Sequence, residues 1–208
     1  MLVRLALPVV AAALALVTTS ASAETFNIPP GNIQLVQFDS EAPIEDIRGI
    51  STAAEGSFKV NLATPSKVTG SVKVPVKTLK TGNTTRDEHL QSDKWLDAKG
   101  HPFITFEITG VAFPDEKPLA DGVKLSGTAT GKLTIKGTTK TVKVPVKIAY
   151  LAASERLKKV WIKGNALRIK TSFEVSLADF GVLPPADLVG LKVAETITVK
   201  AALTAVDK

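Results

Sequence analysis

Hydrophobic and polar residues alternate one by one over most of this chain. Val72, Val74 and Val76 alternate with Lys73, Pro75 and Lys77, and Val142, Val144, Val146 and Ile148 with Lys143, Pro145 and Lys147. Phe58, Val60 and Leu62 alternate with Ser57, Lys59 and Asn61, and Ile197, Val199, Ala201 and Leu203 with Thr196, Thr198, Lys200 and Ala202. Leu167, Ile169, Thr171, Phe173 and Val175 share one face in the same way. Successive side chains of a strand point to opposite faces, so the pattern predicts strands with one face in a core and one in water. Strands are expected over 25–39, entered through the turn Pro29-Pro30-Gly31, and over 44–50, 55–62, 68–77, 103–111, 123–137, 141–151, 160–177 and 191–206. Pro75 has no N–H for a ladder and needs an outward position or a bulge. The hexapeptide Val-Lys-Val-Pro-Val-Lys occurs twice, but its flanks agree weakly, which marks shared strand chemistry and not a repeat architecture. The expected fold class is all-β and antiparallel, with about eight strands or more in one domain. A closed barrel and a sandwich both fit the alternation. A barrel of about eight strands leaves room for a single small ligand.

One stretch breaks the alternation. Residues 84–108 read T-T-R-D-E-H-L-Q-S-D-K-W-L-D-A-K-G-H-P-F-I-T-F-E-I and contain both histidines and one of the two tryptophans. Thr84 or Thr85 can serve as N-cap, and Asp87 and Glu88 fall in a first turn, where the helix dipole favours anions. A short helix is expected over 85–92, set between strands. Gly100 and Pro102 then break the chain, and Ile104, Phe106 and Ile108 resume the alternation. In order, Arg86, Asp87, His89, Leu90, Ser92, Asp97, Pro102, Ile104 and Phe106 resemble the signature of the YceI-like, polyisoprenoid-binding family of secreted lipocalin-like proteins. Trp95 and Leu96 stand where that family usually has two aromatics. Gly131, Leu133, Thr134, Gly137, Thr139 and Lys140 resemble its second motif, and Ala178-Asp179-Phe180-Gly181 its third. The sequence departs from the family at Leu177, where an Arg is common, and near Gly31-Asn32, where a His-Ser pair is common. The resemblance, not the alternation, implies an extended lipocalin-like β-barrel, a barrel ligand that is a long apolar chain, and a periplasmic location.

The first residues point the same way. Arg4, an apolar run over 5–17 and the small residues Ala21-Ser22-Ala23 have the form of a secretory signal peptide, cleaved after Ala23. The run is short for a bilayer span of about 20 residues. The expected domains are a signal peptide over 1–23 and one barrel over 24–208, exported most simply to a bacterial periplasm. The chain has no cysteine, which removes thiol nucleophiles and Cys-based zinc sites. The formal net charge is +6, with the lysines spread along strands as a solvated surface and no basic run. Aromatics make up 5% of residues, which argues against a nucleic-acid surface.

Catalysis finds little support in the residues. Asp87 and His89 are two apart and face different sides of a helix, and no nucleophile elbow accompanies Ser92. The two histidines lack metal-ligand spacing, so no metal and no cofactor are expected beyond a bound isoprenoid or fatty acyl lipid. With the resemblance, which implies a long apolar ligand, the protein is read as a non-enzyme that carries, stores or protects a lipid such as an isoprenoid quinone, polyprenyl lipid or fatty acid derivative. The alternative is a secreted β-barrel interaction module with a packed core, binding a partner through loops such as 114–121. Candidate ligand contacts are Phe58, Arg86, Trp95, Phe103, Phe106, Trp161, Phe173 and Phe180, with Asp87 and His89 supporting the helix. Arg86 suits a phosphate through its planar fork. Residues 85–97 are expected to cap one barrel mouth, with Trp95 on the bound chain. A transient membrane surface is a further expected partner, and monomer and dimer both stay open.

Overall fold

The computed structural model describes residues 23–31 and 33–207. The expected signal peptide lies outside the described residues, save for Ala23. Among the described residues the strands are β1 (Ala23–Asn27), β2 (Leu35–Glu41), β3 (Asp46–Ser51), β4 (Glu55–Asn61), β5 (Val68–Pro75), β6 (Phe103–Ala112), β7 (Lys124–Ile135), β8 (Thr138–Leu151), β9 (Ala166–Ser176) and β10 (Thr196–Val206). Two helices, α1 (Thr84–Gln91) and α2 (Glu155–Lys158), interrupt them. Neighbouring strands pair antiparallel in the order β1-β4-β5-β6-β7-β8-β9-β10, and β10 returns to β1 through Asn27 opposite Val206. This closes an eight-stranded antiparallel barrel, the architecture expected from the sequence.

The remaining two strands shape one end. β10 gives the end of its outer edge to β1 and the earlier part to β2, where Leu35 to Asp39 face Ala202 to Thr198. The single strand expected over 25–39 is thus two strands. Pro29 and Pro30 offer no N–H to a ladder, so pairing stops there and restarts at Leu35. β3 pairs with β2, and Ile50 exchanges backbone hydrogen bonds of 2.8 Å with Lys80, which ties this hairpin to the chain leaving β5. Pro75 ends β5, and Val76–Thr78 turn as a 3-10 helix. Two more expected strands start late. Residues 160–165 form turns before β9, because Ser154 caps α2 by accepting from the Leu157 N–H, which diverts the chain. Residues 191–195 precede β10 as turns on the Leu188 carbonyl. β7 and β8 meet in a two-residue turn at Lys136 and Gly137, both with positive φ (47° and 78°), the backbone of a type I′ hairpin.

The core divides into two clusters along the barrel. In one, Phe26, Phe58, Val60, Leu125, Val144, Tyr150, Leu167 and Leu203 are buried, and the Phe26 and Tyr150 rings meet edge to face at 6.4 Å and 80°. Burying each such side chain contributes about 1.5–3 kcal/mol. In the other, Val76, Leu79, Leu96, Leu133, Ile135, Val175, Phe180 and Val182 are buried around a cavity.

Candidate lipid-binding cavity

The cavity has a volume of about 420 Å³ and a predominantly apolar wall. Its barrel wall comes from Val36 and Phe38 of β2, Val74 of β5, Ile104 of β6, Leu133 and Ile135 of β7, Phe173 and Val175 of β9 and Ile197 and Val199 of β10. These are inward positions of the period-two pattern. Gly49 of β3 lets one of them in: a Cβ there would overlap the Phe38 ring. Leu90, Trp95 and Leu96 close one side, and Leu177, Phe180, Val182, Leu188 and Val193 another. The polar lining residues are Gln37, Ser40, Glu45, Thr81, Asn83, Thr85, Arg86, His89 and Lys192. An apolar cavity with a limited polar set, in the range of about 300–1,000 Å³, is the usual form of a small-molecule site.

α1 is fastened over this cavity by charge-assisted bonds. Its N-cap is Asn83, whose side chain accepts from the Arg86 N–H at 3.1 Å, and not Thr84 or Thr85. Asn, like Thr, accepts at a cap, so composition alone did not separate them. Asp87 is 6% exposed and accepts from both the N–H and the hydroxyl of Thr81 at 2.7 Å, with the Lys80 ammonium at 3.6 Å. Burial pushes its carboxyl up, but the Thr81 hydrogen bonds and Lys80 outweigh this and hold it below the usual carboxylate range. Arg86 shares Thr81, donating from Nε to its hydroxyl at 3.0 Å, and also donates from Nη1 to Glu45 Oε1 at 2.6 Å. The adjacent pair thus grips the segment before α1 together, and Arg86 alone adds Glu45 of the β2–β3 connection and reaches the cavity lining. His89 gives the helix its carbonyl, which accepts from Ser92 N–H at 3.0 Å and Oγ at 2.6 Å, and the residue is among those lining the cavity.

The β2–β3 wall is fastened similarly. Asp39, 6% exposed, accepts from Arg48 at 2.7 Å, Lys200 at 2.9 Å and Gln37 at 2.7 Å, joining β2 to β3 and β10. Burial raises its pKa, but these donors prevail and lower it from 3.8 to about 2.

Of the expected contacts, the structure brings Arg86, Trp95, Phe173 and Phe180, with His89, to the cavity. Four others lie elsewhere. Phe58 is buried in the opposite, packed cluster, and Phe106 packs against both clusters without lining the cavity. Phe103 begins β6 under the Lys73 ammonium, which lies 4.8 Å from its ring. Trp161 is 92% exposed on the turn after α2. Aromatic identity marked these residues, but position along the barrel decides who faces the cavity. The sequence reading missed the aliphatic wall and Lys192, because alternation gives a residue's face and not its height in the barrel.

The three motif segments converge here. Leu90 and Leu96 come from the first, Leu133 from the second and Phe180 from the third, and Lys140 of the second bonds Asp179 of the third at 2.7 Å. A closed antiparallel barrel with one apolar cavity end, lined on one side by a pinned helix, defines a lipocalin-like β-barrel. The profile of the YceI-like domain matches residues 26–205, and the chain belongs to that family. It is 29% identical over 128 residues to a UPF0312 protein of Azotobacter vinelandii, covering 62% of this chain and 59% of that one. It is 33% identical over 94 residues to a UPF0312 protein of Pseudomonas aeruginosa, covering 45% and 44%. The chain therefore spans about half the length of these curated relatives. Among solved structures, Burkholderia cenocepacia BcnA superposes with a TM-score of 0.65 at 20% identity, over 82% of this chain and 95% of that one. A polyisoprenoid-binding domain from Saccharophagus degradans superposes with a TM-score of 0.64 at 12% identity, over 88% and 98%. These likenesses are of fold.

Proposed function

We propose that this protein, as a single barrel unit over residues 24–208, holds the apolar chain of a lipid in the cavity under α1. The ligand class is an isoprenoid quinone, polyprenyl lipid or fatty acid derivative, carried, stored or protected without covalent chemistry. The observation that carries the reading is the apolar cavity itself, set at one barrel end while the other end is packed. Family membership and the polyisoprenoid-binding neighbour support it. Each CH₂ of the ligand moved out of water contributes about 0.8 kcal/mol. Among the polar lining groups Arg86 is paired with Glu45, and Lys192 supplies a further positive charge, suited to an anionic or carbonyl head group, while Leu177 adds an apolar side chain to the wall. The leader-like first residues support export to the periplasm.

Filling the cavity tests the reading. Val175→Trp and Leu133→Phe place larger side chains on the wall, and titration with a fluorescent fatty acid and with a short-chain quinone reads occupancy. A folded variant that loses uptake supports the proposal. Unchanged uptake in both variants overturns it.

A further inference from the structure

The turn that ends α2 carries a residue that neither the backbone nor the core accounts for. Trp161 N–H donates to the Lys158 carbonyl at 3.0 Å and Ile162 N–H to the Leu157 carbonyl at 3.1 Å, the paired bonds of a Schellman motif. Trp161 occupies the left-handed position of that motif, with φ 67°. Glycine is the usual residue there, because a Cβ is disfavoured. The Trp161 side chain is 92% exposed and its neighbour Val160 60%, so packing does not explain them, whereas Leu157 and Ile162 are half-buried.

The surroundings are basic. Arg156, Lys158, Lys159 and Lys163 are all exposed, a local group of cations although the sequence has no unbroken basic run. Among the described residues only Lys158 has an ion-pair partner of these four, Glu155 at 2.6 Å. The carboxylates Asp121 and Asp207 flanking the loop are engaged by Ala152 N–H at 2.9 Å and by Asn165 at 2.8 and 2.7 Å. We propose that this loop docks the protein on an anionic bilayer, with Trp161 and Val160 entering the headgroup region and the cations facing lipid phosphates. An exposed Trp with an apolar body and a polar N–H suits that depth, and cations nearby are drawn to anionic lipid. Lysine is depleted at protein–protein interfaces, which disfavours a protein as occupant.

Phe173 and Val175 of the cavity wall lie toward the end of β9, and the α2 loop precedes its start at Ala166. Phe173 lies seven strand positions beyond Ala166, roughly 23 Å. Docked by the loop, the protein holds its cavity end away from that bilayer, on the aqueous side. The inference does not depend on what the cavity binds.

Flotation of the protein with vesicles of phosphatidylcholine alone, and of phosphatidylcholine with phosphatidylglycerol, tests it. The wild type should bind the anionic vesicles and lose them as salt rises. Lys159→Glu and Lys163→Glu should each weaken binding roughly fivefold or more. Trp161→Gly should abolish binding while Tm stays unchanged or rises by about 2 °C, since glycine relieves the left-handed position. The proposal is overturned by any of three results: no binding to anionic vesicles at low salt, undiminished binding by Trp161→Gly, or a fall of several degrees in its Tm. Capture of an acidic protein through Trp161 without vesicle binding overturns it equally.

Discussion

Asp39 and Asp87 each join segments that frame the cavity, and both carboxyls sit below their ordinary range. Because folding lowers these pKa values, the unfolded chain takes up protons more readily than the folded one on acidification. The stabilisation is full above the unfolded value, about 4, and is lost as pH falls through the folded value, about 2 for Asp39. Its partners Arg48 and Lys200 are largely exposed, so solvent screening limits the contribution to roughly 1–2 kcal/mol. Urea unfolding should therefore show stability falling between about pH 4 and pH 2, with a shallower slope in Asp39→Asn. Equal slopes in the two proteins would remove Asp39 from this role. Neither partner set was legible in the sequence. Arg48 is nine residues from Asp39 and Lys200 is distant, and only strand register brings them together.

α1 is the element whose role is most open to test. It was legible because it breaks the alternation, carries capping residues and resembles a family signature, whereas its attachment through Glu45, Thr81 and Lys80 required the fold. Trp95 lies in the segment that folds back after the helix, where Leu96 N–H donates to the Leu90 carbonyl at 3.1 Å and Ala98 N–H to the Gln91 carbonyl at 2.9 Å. If this segment gates the cavity, Trp95→Ala speeds release of a bound lipid, since affinity changes appear mostly in off-rates. His89→Ala should change release less, because its carbonyl, which the substitution keeps, is what holds Ser92. Stopped-flow release and Tm measured on the same variants separate gating from support. A lower Tm with unchanged release would show that Trp95 only stabilises the fold. The strands were legible by period, but their ends were not: Val160 and Ile162 continue an apparent alternation that Ser154 and α2 cut short.

At the scale of the whole molecule, the barrel is half packed and half hollow. The alternation was compatible with a lipid-holding barrel and with a packed interaction module, and it could not choose, because both put the same residues inside. The structure shows both states in one barrel: Phe26, Phe58 and Tyr150 fill one end, and the other encloses about 420 Å³. The same division explains why Phe58 and Phe173, alike in sequence pattern, differ in surroundings. Native mass spectrometry of the protein purified from its own compartment is the most direct test of lipid binding. The account predicts an added mass that dissociates on activation as a lipid with a long apolar chain. Bare protein that also takes up no quinone, prenyl lipid or fatty acid in solution would contradict it.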